Sequence, residues 1–255
     1  MPPALSGKRG LVIGIANEDS IAWACARACA EAGAAIGGTW QTDKARPHVE
    51  PLLERIGADI RLPLDVTDET QMQALFDALA ARWGRLDFLV HSVAFAPKAD
   101  LHGRLADSSC AGFLQAMDVS CHSFVRLAQR AEPLMRDGGS LVTMSYLGAS
   151  EVVPRYNLMG PVKAALESAV RYLAAELGPS GIRVNAISPG PIRTRAASGL
   201  EDFDALVDDS VRRAPLRRPL SIDDVGPLCA FLAGDGARAI TGQTLYVDGG
   251  YSILN

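Results

Sequence analysis

Two tyrosines and one lysine stand close together in the stretch SYLGASEVVPRYNLMGPVK, directly after an apolar run that predicts a buried strand. They are Tyr146, Tyr156 and Lys163. A neutral phenol can donate a hydrogen bond to negative charge that develops on a substrate oxygen. A nearby ammonium can bind a cofactor ribose and add positive potential. The combination indicates reduction chemistry, with all three side chains as candidate catalytic groups.

The elements that must position these groups are apolar runs alternating with helical patterns along the chain. The runs are GLVIG, AAIGGTW, FLVHSVA, SLVTMS, RVNAIS and TLYVDGG, and the helical patterns include SIAWACARACAEAG, ETQMQALFDALAARWG and PVKAALESAVRYLAAELG. This alternation predicts an α/β fold in which a doubly wound, Rossmann-type parallel sheet is covered on both faces. The stretch 190–219 looks irregular, and we expect it to cover the substrate.

Composition limits the classes of protein that this chain can belong to. Its 255 residues are 48% apolar, enough for one large core, so we expect a single domain over 1–255. The net charge is -4 and no run of Lys and Arg is longer than two, so neither nucleic acid nor a membrane surface is expected as a partner. The N-terminal stretch lacks an apolar signal core, which predicts a cytoplasmic protein.

Cysteine and histidine give no sign of a metal site. The five cysteines include no CxxC pair, and buried reduced thiols are the expected state. The histidines show no spacing typical of metal ligands, and we interpret His91 as structural.

The turn after the first predicted strand reads GIANEDSIAWA, which departs from G-x-G-x-x-G. Gly14 permits a tight turn there. Ser20 and Ile21 open a helix whose N-terminal amides could receive a pyrophosphate. An ordinary strand-to-helix turn with Ser20 as the N-cap is the structural alternative.

The ends of the next two strands offer an adenosine site. Gln41 stands where a dinucleotide site contacts the ribose, and no acidic residue there selects a free 2′-hydroxyl. Lys44 and Arg46 could meet a 2′-phosphate, so these residues leave NADH and NADPH both open. Asp65 and Val66 could bind adenine through a carboxylate and an amide, although Asp65 could simply cap a turn.

The chain resembles the short-chain dehydrogenase/reductase superfamily over essentially its whole length, and within it the NADH-dependent enoyl-[acyl-carrier-protein] reductases. The motifs that carry this resemblance are SIAWA, VHSVAFAP, SYLGA, YNLMGPVKAALE, IRVNAISPGPIRTRAASG and VDGGYSI. Most members of the superfamily have Tyr-x-x-x-Lys and reduce carbonyls, whereas six residues separate Tyr156 from Lys163. That spacing is similar to the enoyl reductase branch. Seven residues of helix would rise roughly 10 Å, and Pro161 is tolerated only in a first turn, so we expect the helix to begin near Gly160, after Tyr156.

The resemblance implies further roles by position. Tyr156 would donate to the enolate oxygen formed when hydride adds to the β-carbon of a trans-2-enoyl thioester in fatty acid biosynthesis. Lys163 would bind the nicotinamide ribose. Further cofactor contacts would come from Val93, Ile192, Arg193, Thr194, Arg195 and Ala196. Ala96 would lie at the substrate mouth. Met159 and Phe203 would be apolar walls of the substrate pocket, although each could simply belong to the core. The implied cofactor is NADH, with NADPH not excluded.

Three activities remain open at this stage. The first is reduction of an enoyl thioester carried by acyl carrier protein or coenzyme A, in a homotetramer. The second is reduction of a ketone or imine on the same scaffold; the stretch MDVSCHSF lacks the Asn that carbonyl-reducing relatives use in a proton relay, with Ser120 as a weaker substitute. The third is dinucleotide binding without turnover.

Overall fold

The described residues, 3–194 and 203–254 of a computed structural model, build one seven-stranded parallel sheet. Its spatial order is β3-β2-β1-β4-β5-β6-β7. The strands are β1 (Arg9–Ile13), β2 (Ala35–Trp40), β3 (Ile60–Pro63), β4 (Phe88–His91), β5 (Gly139–Met144), β6 (Ile182–Pro189) and β7 (Thr244–Val247). The chain winds outward from β1 to β3 and then crosses back to β4, so the direction of winding reverses between β1 and β4. The predicted doubly wound sheet is confirmed.

Helices connect the strands and cover both faces of the sheet. They are α1 (Ile21–Glu31), α2 (Arg46–Arg55), α3 (Glu69–Trp83), α4 (Lys98–Leu101), α5 (Cys110–Met117), α6 (Ser123–Ala131), α7 (Met159–Leu177), α8 (Phe203–Arg213) and α9 (Ile222–Ala233). A π-helical turn, Asp118–His122, joins α5 to α6.

Two apolar cores form because each central strand presents side chains to both faces. One core packs α1, α2 and α9 against the sheet through residues such as Trp23, Leu53 and Val225. The other packs α3, α5, α6 and α7 through residues such as Leu75 and Leu166. Among the described helices, none is long and apolar enough to cross a membrane.

The helix that carries Lys163 begins where its sequence requires. α7 starts at Met159, one residue before the predicted position, and Pro161 lies in its first turn. A proline costs no hydrogen bond there, because the first amides of a helix have no partner within it. Tyr156 therefore precedes α7, as predicted.

Two expectations from the sequence were wrong in part. The stretch 190–219 contains the regular helix α8, because FDALVDDSVRR places Val207 and Ser210 on one buried side. Cys110 is exposed, whereas the other four cysteines are buried and all five are free.

Candidate active site

A cavity of about 450 Å³ opens at the carboxyl ends of the central strands. Its wall consists of residues that follow β4, β5 and β6, together with Ile21 at the start of α1. It therefore lies beside the point where the winding reverses between β1 and β4, which is where open parallel sheets bind ligands. The lining residues are Ile21, Ser92, Val93, Ala94, Phe95, Ala96, Lys98, Leu101, Met144, Ser145, Tyr146, Tyr156, Met159, Lys163, Pro189, Gly190, Pro191, Ile192, Thr194 and Phe203.

The two tyrosines meet on one side of this cavity. The ring centroids of Tyr146 and Tyr156 are 4.7 Å apart, with an angle of 58° between the ring planes. Gly148 lies against the second ring: a Cβ atom there would stand 2.3 Å from Cδ1 of Tyr156. Arg155 and Asn157 flank Tyr156 with φ angles of 66° and 41°, in the left-handed region. The ring position of Tyr156 is thus set by local backbone and by the missing side chain at 148.

Both phenols are held in the neutral form. Burial raises the pKa of Tyr156 and of Tyr146 well above the ordinary value, and each is raised further by a neighbouring tyrosine. The Tyr146 hydroxyl is buried without a hydrogen-bond partner among the described residues. Two protonated donors therefore face the cavity at neutral pH.

Lys163 is a buried cation beside these phenols. Its side chain is 4% exposed, and Nζ donates a hydrogen bond to the Met144 carbonyl at 2.8 Å. Burial lowers its pKa to about 8, while Cys121 and Glu167 act in the opposite direction. The ammonium therefore keeps its proton at neutral pH and gives the cavity a fixed positive charge.

His91 is a buried structural residue at the end of β4, directly before the residues that line the cavity. Its Nε2 is 2.9 Å from Ser123 Oγ and its Nδ1 is 2.8 Å from Thr143 Oγ1. Since the Ser123 hydroxyl donates to the Val119 carbonyl, it accepts from Nε2–H, and Nδ1 accepts from Thr143. Burial lowers the pKa of His91 to about 3, with Lys163 contributing in the same direction. The ring is neutral and fully hydrogen-bonded.

Two serines beside the cavity have their hydroxyl groups engaged elsewhere. Ser145 donates to Oε1 of Glu167 at 2.5 Å. Ser120 donates to the carbonyl of Phe95 at 2.9 Å and accepts from the amide of the same residue at 2.8 Å. The hydroxyls of Ser145 and Ser120 are therefore less available to a substrate oxygen than the two phenols are.

The turn between β1 and α1 brings the backbone close to the end of β4. Gly14 has a φ of 104°, and a Cβ atom there would come 2.1 Å from the Ser92 carbonyl oxygen. Ser20 occupies the N-cap position but donates to the Asn17 carbonyl at 2.7 Å instead of capping α1. Ser20 is thus the N-cap residue, as in the structural alternative, but its side chain does not cap the helix.

Gln41 and Asp65 meet at the ends of β2 and β3. Gln41 Nε2 is 3.4 Å from Oδ2 of Asp65, whose Oδ1 accepts from the amide and hydroxyl of Thr67. Burial acts to raise the pKa of Asp65, but the hydrogen bonds from Thr67 and Gln41 outweigh it and hold the pKa below its ordinary value. Asp65 is therefore an ionised acceptor that also closes a turn, so both of the roles considered for it are compatible.

Residues 14–252 match the protein family described as Enoyl-(Acyl carrier protein) reductase. This chain belongs to the enoyl-(acyl carrier protein) reductase family. The resemblance carried by the motifs around Tyr146 and Lys163 is confirmed.

Named relatives align over nearly the whole of this reductase. Enoyl-[acyl-carrier-protein] reductase [NADH] 1 of Rhizobium meliloti is 49% identical over 247 residues, which cover 97% of this chain and 91% of the relative. The crystal structure of the reductase from Anaplasma phagocytophilum in complex with NAD is 46% identical, with a TM-score of 0.94 and coverage of 98% and 95%. The Bacillus cereus reductase, crystallised with NADP+ and indole naphthyridinone, is 41% identical, with a TM-score of 0.96 and coverage of 99% of each chain.

The reductase cavity brings together ten of the residues singled out from sequence. They are Ile21, Val93, Ala96, Tyr146, Tyr156, Met159, Lys163, Ile192, Thr194 and Phe203. Six others lie outside its lining, namely Gly14, Ser20, Gln41, Asp65, Val66 and Arg193. Arg193 pairs with Asp204 at the start of α8 at 3.0 Å. Arg195 and Ala196 fall outside the described residues.

Sequence reasoning missed several lining residues of the reductase. Phe95, Lys98 and Leu101 follow β4 in an exposed stretch with little apolar pattern, although the motif VHSVAFAP pointed to its beginning. Ser145 directly precedes Tyr146 in the sequence, and its residue type alone did not indicate a place in the cavity. In the part of the chain that the structure describes, no group of three or more His, Cys, Asp or Glu side chains is arranged to hold a metal.

Proposed function

We propose that this chain is an NADH-dependent enoyl-[acyl-carrier-protein] reductase that reduces the trans-2 double bond of an enoyl thioester in fatty acid biosynthesis. The observation that carries the proposal is the pairing of two neutral, partly buried phenols with a buried lysine on one cavity wall. Family membership and relatives named as NADH enoyl reductases support it.

NADH held in this cavity would supply the hydride for the β-carbon of the enoyl group. As that carbon is reduced, negative charge appears on the thioester oxygen. Tyr156 donates a hydrogen bond to this oxygen, because burial keeps its hydroxyl protonated. The α-carbon then takes a proton that derives from solvent, so that one hydride and one proton have been added across the double bond.

In this proposal Lys163 also stabilises the negative charge that develops on the thioester oxygen. Its ammonium, which donates to the Met144 carbonyl, would bind the nicotinamide ribose and add positive potential near the developing enolate. The desolvation that lowers its pKa also strengthens its field, since a buried charge is poorly screened.

Tyr146 serves as the second donor of the pocket in this proposal. Its hydroxyl is buried without a partner among the described residues, which a natural structure tolerates when a ligand provides one. The substrate thioester or the cofactor amide offers such an acceptor.

The residues present fit a dinucleotide along the crevice between β1 and β4. The turn at Gly14 and the start of α1 at Ile21 would hold the pyrophosphate. Gln41 and Asp65 would hold the adenosine, as would Val66, which is buried beside them. Val93, Ile192, Arg193 and Thr194, with Arg195 and Ala196 beyond the described residues, are the proposed contacts at the nicotinamide end.

Of the two cations near Gln41, Lys44 and Arg46, Arg46 is already bound to a carboxylate, which supports a preference for NADH. Arg46 makes two hydrogen bonds with Glu50, at 2.8 and 3.2 Å, and its guanidinium lies 5.4 Å from the Trp40 ring centroid. A cation already bound to a carboxylate is a poor receptor for a 2′-phosphate. We therefore propose NADH as the preferred cofactor.

The acyl chain is proposed to lie between Ala96, Met159 and Phe203. Phe203 is the first residue of α8, so the stretch 190–219 contributes to the cavity through a helix. That placement supports its proposed role as the cover of the substrate.

The carbonyl-reducing alternative finds less support in the geometry. A proton relay through Ser120 would need a hydroxyl free to pass on its proton, and this hydroxyl is held by Phe95. No observation favours dinucleotide binding without turnover.

We also propose a homotetramer. Several large apolar side chains are exposed on the chain, among them Tyr172 of α7 at 71%, Val152 at 97% and Ile253 at 75%. Burying such side chains between copies would remove them from water. Light scattering on the purified protein measures the assembly directly.

The activity is tested by the loss of NADH absorbance with crotonyl thioester and, separately, with acetoacetyl thioester. Each is offered on acyl carrier protein and on coenzyme A, which also identifies the carrier. We expect oxidation of NADH with crotonyl thioester and none with acetoacetyl thioester. The opposite pattern would establish a carbonyl reductase, and saturable NADH binding without turnover on either would establish a non-catalytic binder.

A further inference from the structure

The buried hydroxyl of Ser120 makes two hydrogen bonds to Phe95, in the stretch that forms one wall of the cavity. Ser120 is fully buried, and its Oγ both accepts from the Phe95 amide at 2.8 Å and donates to the Phe95 carbonyl at 2.9 Å. Both bonds go to one residue 25 positions earlier in the chain. The Ser120 side chain therefore binds both the backbone amide and the backbone carbonyl of Phe95.

The residue that Ser120 holds is part of the stretch 92–96, all of which lines the cavity. This stretch follows β4 and has no regular secondary structure. The amide of Ser92 still bonds to the Ile13 carbonyl of β1 at 3.0 Å. Beyond Ser92, within the described part of the chain, Ser120 is the side chain that hydrogen-bonds this stretch. Phe95 itself is 46% exposed, so packing alone does not immobilise it.

Ser120 itself stands on a well-packed support. It lies in the π-helical turn Asp118–His122, which packs against α7, the helix that carries Lys163. Cys121, the next residue, is buried close enough for the Lys163 charge to affect its pKa, although burial is the larger influence and raises that pKa. π-helical turns within α-helices often lie at functional sites. The turn thus joins the wall at Phe95 to the helix of the catalytic lysine.

We propose that Ser120 is a positioning residue that sets the distance between the wall 92–96 and the phenol and ammonium of Tyr156 and Lys163. It touches no reacting atom, and its one proton is already given to Phe95, so it is not part of a proton relay. Misplacing a reactant by about 1 Å can cost roughly 100-fold in rate, so a loosened wall lowers turnover. The inference rests on the proposed function only for the identity of the substrate.

The test compares Ser120→Ala with Ser123→Ala. Ser123 is equally buried three residues later, but its hydroxyl bonds to Val119 and His91 beneath the cavity. Amide hydrogen exchange is followed by mass spectrometry in peptides that cover 92–96. In the wild type we expect the Phe95 amide to exchange slowly, and in Ser120→Ala we expect this amide to accelerate at least about tenfold. Ser123→Ala should leave it protected.

Kinetics then separate positioning from a relay. We expect Ser120→Ala to lower kcat with crotonyl thioester by about tenfold or more and to weaken NADH binding, while the pH profile keeps the shape of the wild type. Ser123→Ala should keep kcat within about threefold of the wild-type value, even where its Tm falls as much as that of Ser120→Ala. Equal kinetic losses in the two variants, or a changed pH profile in Ser120→Ala, would overturn the proposal.

Two outcomes remain decisive even if a variant or the activity fails. If Ser120→Ala does not fold, a fast-exchanging Phe95 amide in the wild type contradicts the proposal and a protected one supports it. If the wild type reduces no enoyl thioester, the proposed function fails, but exchange at Phe95 and the Kd for NADH still decide the role of Ser120.

Discussion

The two ends of the proposed cofactor crevice, its proposed catalytic end and its proposed adenosine end, are built differently. At the catalytic end, Tyr146, Tyr156 and Lys163 are largely removed from water, and burial is the main cause of every pKa shift there. At the adenosine end, Gln41 is exposed, and Arg46 and Glu50 form an ion pair at the surface. Under the proposed function, the reaction depends on the buried end, whereas the choice between NADH and NADPH depends on contacts that water screens. Substitutions at the two ends should therefore differ in both size and kind.

The largest effect should come from filling the space beside Tyr156. Gly148→Ala places a methyl group 2.3 Å from the present position of its Cδ1, so the ring must move. We expect kcat/KM with an enoyl thioester to fall about 100-fold, because the hydrogen bond to the developing oxyanion is lost. The Kd for NADH should change little.

Gly178→Ala is the matched control, since nothing lies within 4 Å of a Cβ atom there. It should behave like the wild type. If Gly148→Ala retained the activity of Gly178→Ala, the ring position of Tyr156 would not matter to catalysis.

The pH profile should report the buried ammonium. Because the pKa of Lys163 is about 8, raising the pH above that value removes its proton and its charge. We expect kcat/KM to fall by about tenfold per pH unit on the alkaline side. In Lys163→Arg the guanidinium stays charged, so the remaining activity should lose this alkaline limb. An unchanged limb in that variant would assign it to another group.

His91 should make the catalytic end sensitive to acid. Its folded pKa of about 3 lies below the ordinary 6.5, so the unfolded chain binds a proton that the folded chain excludes. Stability is therefore complete above about pH 6.5 and declines as the pH falls towards 3. Between pH 7 and pH 5 this group should lower the free energy of unfolding by about 2 kcal/mol.

Denaturant unfolding of the wild type and of His91→Asn measures this difference. His91→Asn lacks the titrating ring. Between pH 7 and pH 5, its free energy of unfolding should therefore fall by about 2 kcal/mol less than that of the wild type, whatever its stability at pH 7. Parallel pH dependences in the two proteins would contradict the assignment.

The smallest effect should appear at the adenosine end. Glu50→Gln removes the carboxylate that binds Arg46 and leaves the guanidinium available to a 2′-phosphate. We expect the ratio of kcat/KM for NADPH over NADH to rise about threefold, in keeping with a weak surface ion pair. Activity with NADH should be unchanged.

Glu54→Gln is the control at this end. Glu54 lies on the same helix as Glu50, α2, and pairs with Arg61 of β3 at 2.7 Å, so its replacement leaves the pair of Arg46 and Glu50 in place. It should leave the ratio unaltered. A rise in both variants would indicate a general effect of negative charge on NADPH binding.

The sequence predicted the local backbone between Tyr156 and Lys163 well, because the constraints on it are local. The six residues between Tyr156 and Lys163, with Pro161 among them, place the start of α7 to within one residue. Alternating apolar runs likewise predicted the parallel sheet. The helical repeat of Phe203, Val207 and Ser210 is present in the sequence, but the glycines and prolines on both sides of it are more typical of an irregular loop.

Contacts between distant segments were beyond the sequence. Nothing local indicates that Ser120 meets Phe95 or that Gly148 adjoins the Tyr156 ring, since both depend on how β4, β5 and α7 come together. The pair of Arg46 and Glu50, by contrast, has the i, i+4 spacing of a helical ion pair and could have been found.

The central claim is that Tyr156 stabilises the enolate oxygen of an enoyl thioester. The most direct measurement is kcat/KM of Tyr156→Phe with NADH and crotonyl thioester, beside the Kd for NADH of the same variant. We expect turnover to fall about 100-fold while the Kd stays within about twofold, because only the hydroxyl is removed. Full turnover in Tyr156→Phe would contradict this account of the site.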